Sequence, residues 1–287
     1  MVIRELLKLG VDIINNIKYS NPNLESILIL SKLLGFDKSY IYAHLDDQVN
    51  EEIEDRFLEV VNKRALGYPF QYAINEKEFM GLEFYIEEGI LVPRPDTEIL
   101  VEYLIDYINE YYKDEKINIL DIGIGSGAIS LSIAKYCPNV AIHGIDIDDI
   151  PIKVANINKK RFNLSNVNFY KGDLFKAIEG LSLEGEFSII ASNPPYIPKD
   201  EIDKLQKEVR DFEPRLALDG GRDGLDFYRR ITCESKKYLI NGGLLIYEIG
   251  HDQGQAVESI LIKEGFKNIS ILKDLQGLDR VVLGFNF

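Results

Sequence analysis

The sequence predicts an α/β protein built on a parallel sheet with helices on both faces, and three observations predict it. Five apolar segments, INILDIG, AIHGIDI, VNFYKGD, FSIIASN and GGLLIYEIG, have the length of buried strands and are separated by helix-period stretches. The first runs straight into a glycine-rich turn that opens a helix, as the ligand-binding edge of such sheets does. The chain closes on ISILKDL and RVVLGFNF around Gln276-Gly277, which read as a hairpin at the sheet edge. Together these give a Rossmann-like sheet of seven strands within a domain spanning 96–287.

The preceding elements are of a different kind. Residues 1–75 carry helix-period patterns broken by stop signals and no strand signal, which predicts a small helical domain whose faces pack on one another. MVIRELLKLGVDIINNIKYSN reads as an amphipathic helix, because Arg4, Glu5, Lys8 and Asp12 interrupt any signal-peptide core. After Asn21-Pro22, residues Leu24, Ile27, Leu28, Leu30, Ser31 and Leu34 share one broad face, and Gly35 follows as a cap. EEIEDRFLEVVNKRALG repeats the pattern and stops at Gly67. Residues 76–92 switch to period two with Gly81 at the turn, a β-hairpin that Pro93 and Pro95 extend into a linker over 76–95. A helix follows, with Thr97 as its N-cap and Ile99, Leu100, Tyr103, Leu104 and Ile108 along it, up to the charged stretch KDEK.

Composition bounds the function. With 287 residues, 46% of them hydrophobic, the chain has material for one or two cores and is not a disordered protein. Its 33 Lys+Arg against 47 Asp+Glu leave a formal charge of −14, which disfavours nucleic acid and anionic membranes as partners. No apolar run approaches the roughly 18 residues that span a bilayer. Cys137 and Cys233 are far apart in sequence, make neither a disulfide framework nor a metal site, and suit a reducing cytoplasm. No metal is expected, and His251 is read as structural.

The first chemical constellation is Asp121-Ile122-Gly123-Ile124-Gly125-Ser126-Gly127-Ala128, between the first strand and its helix. Glycines there allow a sharp turn and close approach to a ligand, and Asp146 at the end of the second strand suits the two ribose hydroxyls of a nucleoside. The spacing Gly123-x-Gly125-x-x-Ala128 fits NAD-binding folds, whereas GxGxG after an acidic residue fits S-adenosylmethionine-dependent methyltransferases, so the loop alone leaves the cofactor open. Asp121 suits a cationic methionine moiety, and Asp173 of Gly172-Asp173-Leu174-Phe175 suits an adenine amine; both lean toward the methyl donor. For Asp173 a helix cap is an equal reading.

The second constellation is Asn193-Pro194-Pro195-Tyr196, directly after strand FSIIAS and therefore at the same sheet edge. Two prolines fix φ and remove two N–H donors, leaving a stiff edge rich in acceptors. The Asn193 oxygen and the Pro194 carbonyl together suit the two hydrogens of a planar NH2 group, with the Tyr196 ring stacked on its flat face. Such a grip orients a delocalised, weakly nucleophilic nitrogen for in-line attack on a methyl group. A hydride-transfer site has no evident need for it, which settles the cofactor in favour of S-adenosylmethionine.

With these motifs go KRALGYPFQYAINEKEFMGLEF, LVPRPDTEILVE, EVRDFEPRLALDGGRDGL, GGLLIYEIGHDQG and KDLQGLDRVVLG. Over essentially its whole length the chain resembles the HemK/PrmC glutamine methyltransferases that modify peptide chain release factors. The resemblance implies a seven-stranded methyltransferase domain and a helical N-terminal domain that helps dock the factor. It further implies methyl transfer from S-adenosylmethionine to the side-chain amide of the glutamine in the factor's Gly-Gly-Gln loop, which tunes translation termination. Carried over, the cofactor loop is Gly123 to Gly127, the ribose carboxylate is Asp146, Asn193 touches cofactor and substrate, and Pro194, Pro195 and Tyr196 complete the amide site. Leu174 stands where some relatives have an aromatic beside the adenine, and is assigned as an apolar wall. The expected setting is a cytoplasmic monomer with a protein substrate, no direct nucleic-acid partner and no membrane. Arg94, Thr97 and Glu98 stay open between an ion pair or helix cap and pocket closure, while Glu213, Arg215 and Asp219 are read as braces for the loop after the tetrapeptide.

Three rival readings compete with this one. An adenine-N6 DNA methyltransferase shares Asn-Pro-Pro-Tyr but is opposed by the charge, the lack of a target-recognition domain and the matches elsewhere. An NAD-dependent oxidoreductase rests on the glycine spacing alone. A non-catalytic binding module is opposed by the intact Asn193 and Asp146.

Overall fold

A computed structural model describes residues 1–18, 20–113 and 115–287. Tyr19 and Asp114, which fall in the first helical stretch and in KDEK, lie outside the described residues. The chain divides into two compact units: Met1–Glu76 with Gln206–Phe212, and Lys77–Leu205 with Glu213–Phe287.

The first unit consists of α1 (Ile3–Ile14), α2 (Pro22–Leu34), α3 (Lys38–Ala43), α4 (Glu51–Ala65) and α5 (Phe70–Ile74), joined by the returning segment. Local chemistry sets the ends. The Asn21 side chain accepts the Leu24 N–H at 3.2 Å with Pro22 at the first helical position, and Gly35 closes α2 at φ 73°. Asn50 caps α4 in the same way, accepting from Ile53 N–H at 2.8 Å. Each such cap contributes about 1 kcal/mol. The core is formed by Leu6, Ile14, Ile27, Leu30, Phe57 and Val61. At Gly10 an added Cβ would meet Phe57 at 2.6 Å, so α1 and α4 approach through a missing side chain.

The single apolar face expected for α2 is corrected. Leu24 is exposed, whereas Ser26 and Ile29 are buried together with Ile27 and Leu30. The helix packs against α1, α3, α4 and α5 at once, so neighbours on several sides decide its burial.

The second unit begins with the hairpin β1 (Glu76–Phe79) and β2 (Leu82–Tyr85). Met80 and Gly81 both have positive φ, 51° and 70°, as a two-residue turn between twisted strands requires. Then follow α6 (Asp96–Tyr111), β3 (Ile117–Ile122), α7 (Ala128–Tyr136), β4 (Val140–Asp146), α8 (Asp149–Arg161), β5 (Val167–Lys171) and β6 (Phe187–Ser192). After α9 (Lys207–Phe212), which belongs to the helical unit, come α10 (Asp226–Tyr238), β7 (Leu239–Glu248), α11 (Gly254–Lys263), β8 (Lys267–Lys273) and β9 (Asp279–Asn286).

The seven strands lie in the order β5-β4-β3-β6-β7-β9-β8. Pairings from β5 to β7 are parallel, while β9 is antiparallel to both β7 and β8. The terminal hairpin thus places β9 inside the sheet and leaves only β8 at its edge. Between β3 and β6 the winding reverses direction, and open sheets of this kind bind ligands in the crevice at the strand ends there. Phe175, Phe187, Ile190, Tyr228, Leu245 and Tyr247 belong to the core of this unit.

The N-cap assigned to Thr97 is also corrected. Pro95 already has helical torsions (φ −57°, ψ −32°), so α6 starts at Asp96 and Thr97 lies buried in its first turn, its hydroxyl available for other work. Pro151 sits in the first turn of α8, where its missing N–H costs nothing.

One charged cluster ties the returning segment into the helical unit. The buried Arg64 side chain donates from Nε to Glu25 at 2.7 Å and from Nη1 to Glu208 on α9 at 2.6 Å. The Phe212 ring meets Tyr68 edge-on, with centroids 5.6 Å apart. Removing one member of a buried ion pair strands its partner, which costs about 3–5 kcal/mol. We expect Arg64→Met in the full chain to lower the unfolding free energy of the helical unit by that amount, read from urea unfolding as a lower midpoint, and to raise amide exchange within residues 1–76 and 206–212. Unchanged unfolding and exchange would show that the cluster contributes nothing.

Candidate active site

The glycine loop joins β3 to α7, and its backbone is held by the next strand. Gly123 and Ile124 N–H groups donate to the Ile145 carbonyl at 2.8 and 3.1 Å. Gly123, Gly125 and Gly127 all have positive φ, and a Cβ on Gly127 would meet Leu131 at 2.9 Å. Asp146, at the end of β4, accepts from Gly125 N–H at 3.1 Å and from Asp148 N–H at 3.2 Å. Burial raises its pKa, against these backbone hydrogen bonds. Its carboxylate is thereby fixed at the rim of a cavity of about 330 Å³.

Gly123, Gly125, Asp146, Asp173 and Leu174 line that cavity, as do Asn193, Pro194 and Pro195. Asp121, Ile124, Ser126, Gly127 and Tyr196, also assigned to the site from sequence, do not. Asp121 is buried below the loop, where its Oδ2 accepts from the Ser130 hydroxyl at 2.5 Å and its N–H at 3.1 Å. Its Oδ1 has no hydrogen-bond partner, and desolvation pushes the pKa up to about 6. Ile124, Ser126 and Gly127 are buried and shape the turn. The Tyr196 ring packs against the sheet core instead of facing the cavity, and its carbonyl accepts from Gln253 at 2.9 Å.

Asp173 is turned onto Arg230 of α10, whose Nη2 lies 2.8 and 2.7 Å from its two oxygens. A carboxylate keeps further lone pairs after such a contact, so an additional donor can still be accepted. Arg230 and Phe227 line the cavity too, with the guanidinium 5.7 Å from the ring centroid. Leu174 is an apolar wall at φ 51°, an uncommon backbone for a leucine and a form of local strain that clusters at functional sites.

At the neighbouring strand end, the Ser192 hydroxyl donates to the Ile122 carbonyl at 2.6 Å, joining β6 to β3. Asn193 follows immediately. Its Nδ2 donates to Glu248 Oε2 at 2.8 Å and to Thr97 Oγ1 at 3.2 Å. Both amide hydrogens are therefore committed, and what this side chain offers a ligand is its oxygen. The loop beyond is stitched through Ile197, whose N–H donates to the Leu218 carbonyl at 3.0 Å and whose carbonyl accepts from Gly220 N–H at 2.9 Å.

The PRPDTE segment is shared among several braces. Arg94 pairs with Glu213 at 2.6 Å, Asp96 with Arg280 at 3.2 Å, and Glu98 accepts the Met80 N–H at 2.8 Å. Sequence reasoning missed Arg230, Glu248 and Asn158. Asn158 is buried on α8; it donates to the Ser126 carbonyl and exchanges hydrogen bonds with the Tyr85 backbone, tying the hairpin to the glycine loop. Arg230 and Asn158 stand in no recognisable motif, and Glu248 stands in GGLLIYEIGHDQG, a stretch that does not say what its carboxylate meets; the positions of their partners reveal all three.

These features fit the nucleoside and methionine ends of S-adenosylmethionine. A carboxylate held by backbone N–H groups lines the cavity and suits a ribose diol, an apolar wall stands beside Asp173, and a partnerless buried carboxylate oxygen suits a cation over the glycine loop. Among the described residues no group of His, Cys, Asp and Glu could hold a metal, and no helix is long and apolar enough to cross a membrane.

Comparison with known proteins agrees with this geometry. A methyltransferase domain family matches residues 113–239, and the PrmC N-terminal domain family matches residues 5–74. A release factor glutamine methyltransferase of Clostridium acetobutylicum is 46% identical over 264 residues, 90% of each chain. One from Clostridium botulinum is 38% identical over 98% of both chains. Among solved structures, a methyltransferase from Pyrococcus furiosus superposes with a TM-score of 0.52 at 20% identity, covering 71% of this chain and 89% of that one, a likeness of fold. With both family regions present and near-complete relatives at such identity, the chain belongs to the release factor glutamine methyltransferase family.

Proposed function

We infer that the chain transfers a methyl group from S-adenosylmethionine to the side-chain amide nitrogen of a glutamine, that of the Gly-Gly-Gln loop in a peptide chain release factor. The observation that carries this reading is Asn193, at the wall of the cavity with both amide hydrogens engaged and its oxygen left as an acceptor. When bound, S-adenosylmethionine supplies an electrophilic methyl group on a sulfonium.

The protein's own residues do the rest. Asp146 accepts the ribose hydroxyls, the turn at Gly123 and Gly125 lets the backbone approach the donor, and Asp121 supplies negative charge beneath it. Leu174 forms the wall for the adenine, and Asp173, shared with Arg230, accepts its amine. Asn193 Oδ1 and the Pro194 carbonyl hold the two hydrogens of the substrate amide, which orients the nitrogen and weakens its conjugation. Pro195 stiffens that edge. Tyr196 supports it from the core side, and its stacking on the amide requires a turn of the ring toward the cavity. No resident base is needed, because an amide nitrogen becomes strongly acidic once alkylated and its proton passes to water.

The setting is the cytoplasm, with a monomeric enzyme and a protein substrate. A charge of −14 supports the absence of a direct nucleic-acid partner.

Purified protein given methyl-labelled S-adenosylmethionine is expected to label a release factor, and not the same factor with its loop glutamine replaced. Label in the replaced factor, or in DNA, would overturn the reading. Asp146→Ala removes an acceptor whose hydrogen bonds contribute about 1.5–3 kcal/mol each, so calorimetry should show S-adenosylmethionine binding weakened by at least about 10-fold. Unchanged affinity would remove Asp146 from the cofactor site.

A further inference from the structure

Glu248 ends β7 and is 1% exposed, yet among the described residues it faces no ion-pair partner within bonding distance. Its Oε2 lies 2.8 Å from Asn193 Nδ2, and the Thr97 hydroxyl also hydrogen-bonds to this carboxyl. Thr97 Oγ1 in turn accepts the second Asn193 hydrogen at 3.2 Å. The three side chains close a ring in which every proton has one consistent direction: Asn193 to Glu248, Asn193 to Thr97, and Thr97 to Glu248.

An asparagine amide has two nearly isosteric ends. Rotated by 180°, Asn193 would present NH2 to the substrate and its oxygen to Glu248. A carboxylate has no hydrogen to give and repels that oxygen, whereas a protonated carboxyl can donate to it. The ionised acid therefore selects one rotamer.

We propose that Glu248 is a positioning residue for methyl transfer: through Asn193 Nδ2 it holds the Asn193 oxygen toward the substrate, selecting acceptors that bring NH2 hydrogens. The proposal rests on the glutamine-methylating reading above. Glu248 touches neither substrate nor cofactor and acts only through Asn193 and Thr97.

The surroundings make this selection dependent on pH. Burial raises the Glu248 pKa to about 7, opposed by Thr97, Arg280 and Asn193, while Asp96 adds to the rise. Arg280 on β9 also answers to Asp274, Tyr196 and Tyr228 lie close on the loop side and on α10, and the Tyr228 hydroxyl donates to the Glu248 carbonyl at 2.9 Å. Both tyrosines have pKa values raised by burial, so neither titrates near neutrality. Asp121, bonded to Ser130 beneath the glycine loop, is raised only to about 6 and does not answer to Thr97, so a pH step near 7 is expected from Glu248. Below it the acid is neutral and both Asn193 rotamers are supported; above it only the productive one is.

The test is kcat against pH for the full chain with a release factor and S-adenosylmethionine. Wild type should gain turnover as pH rises through about 7. Glu248→Gln, whose amide pairs with either rotamer, should lose that step and reduce kcat by about 10- to 100-fold at pH 8, the scale of a misplaced reacting group, with KM for the factor and cofactor affinity within about three-fold. Thr97→Val, which deletes a hydrogen bond to the ionised form, should move the step to higher pH. A Glu248→Gln enzyme with wild-type kcat and pH profile would overturn the proposal, as would an unmoved step in Thr97→Val. Should Glu248→Gln not fold, the Thr97→Val profile decides alone. Absence of methylation by the wild-type protein at every pH would instead remove the underlying reading.

Discussion

A single buried hydrogen bond sets the spacing of the site. The Ser192 hydroxyl, at the end of β6, donates to the Ile122 carbonyl, at the end of β3. The glycine loop begins one residue after Ile122 and Asn-Pro-Pro-Tyr one residue after Ser192. Fixing those two strand ends therefore fixes the donor cradle against the acceptor edge. Parallel pairing of β3 with β6 sets the register, and the hydroxyl adds a side-chain bond at the last rung, Ile122 opposite Ser192, where the loops diverge. The reversal of strand order at this point leaves the space between the loops free for a ligand.

The fold retains two buried carboxylates around this edge at a cost. Asp121 has its pKa raised to about 6 and Glu248 to about 7, chiefly by desolvation. An acid whose folded pKa exceeds its unfolded value binds protons more tightly when folded, so stability is greatest below the unfolded value. It falls as pH climbs from about 4 toward 6 and 7, and is constant beyond. Near neutrality both groups thus destabilise the protein. Neither is replaced by an apolar residue of similar size, although such replacements are often neutral or stabilising. Asp121 lies beneath the loop where a cation is expected, and Glu248 lies behind Asn193, the proposed grip on the substrate amide; on the proposed function both carboxylates serve the chemistry.

Much of this architecture was legible in the chain because it is written locally. Strands β3 to β7 are contiguous apolar runs, the hairpin at Gly81 follows from period two, and the glycine loop and tetrapeptide are consecutive residues whose strand context is visible on either side. What could not be read depends on partners distant in sequence. Segment 206–212 joins the helical unit through Arg64, 144 residues from Glu208. Arg230 reaches Asp173 across 57 residues, and Asn158 reaches Tyr85 across 73. Thr97 shows the limit most clearly. Its type and position suggested a cap, but Pro95 had already adopted helical torsions, and the hydroxyl went to Asn193 instead.

The same separation explains why the tetrapeptide alone does not define the substrate. On the proposed function Asn-Pro-Pro-Tyr grips NH2 hydrogens, and adenine and glutamine both offer them. The atoms that set the grip lie outside the motif: Glu248 at the end of β7 and Thr97 in the first turn of α6 take the asparagine's hydrogens, so its oxygen is the end presented. What the acceptor is attached to is read by other means. A net charge of −14 disfavours a polyanion, and residues 5–74 match the PrmC N-terminal domain family. Chemistry at the nitrogen and choice of the molecule carrying it are thus decided by different parts of the chain, which is why the charge of the whole sequence discriminates where the catalytic residues cannot.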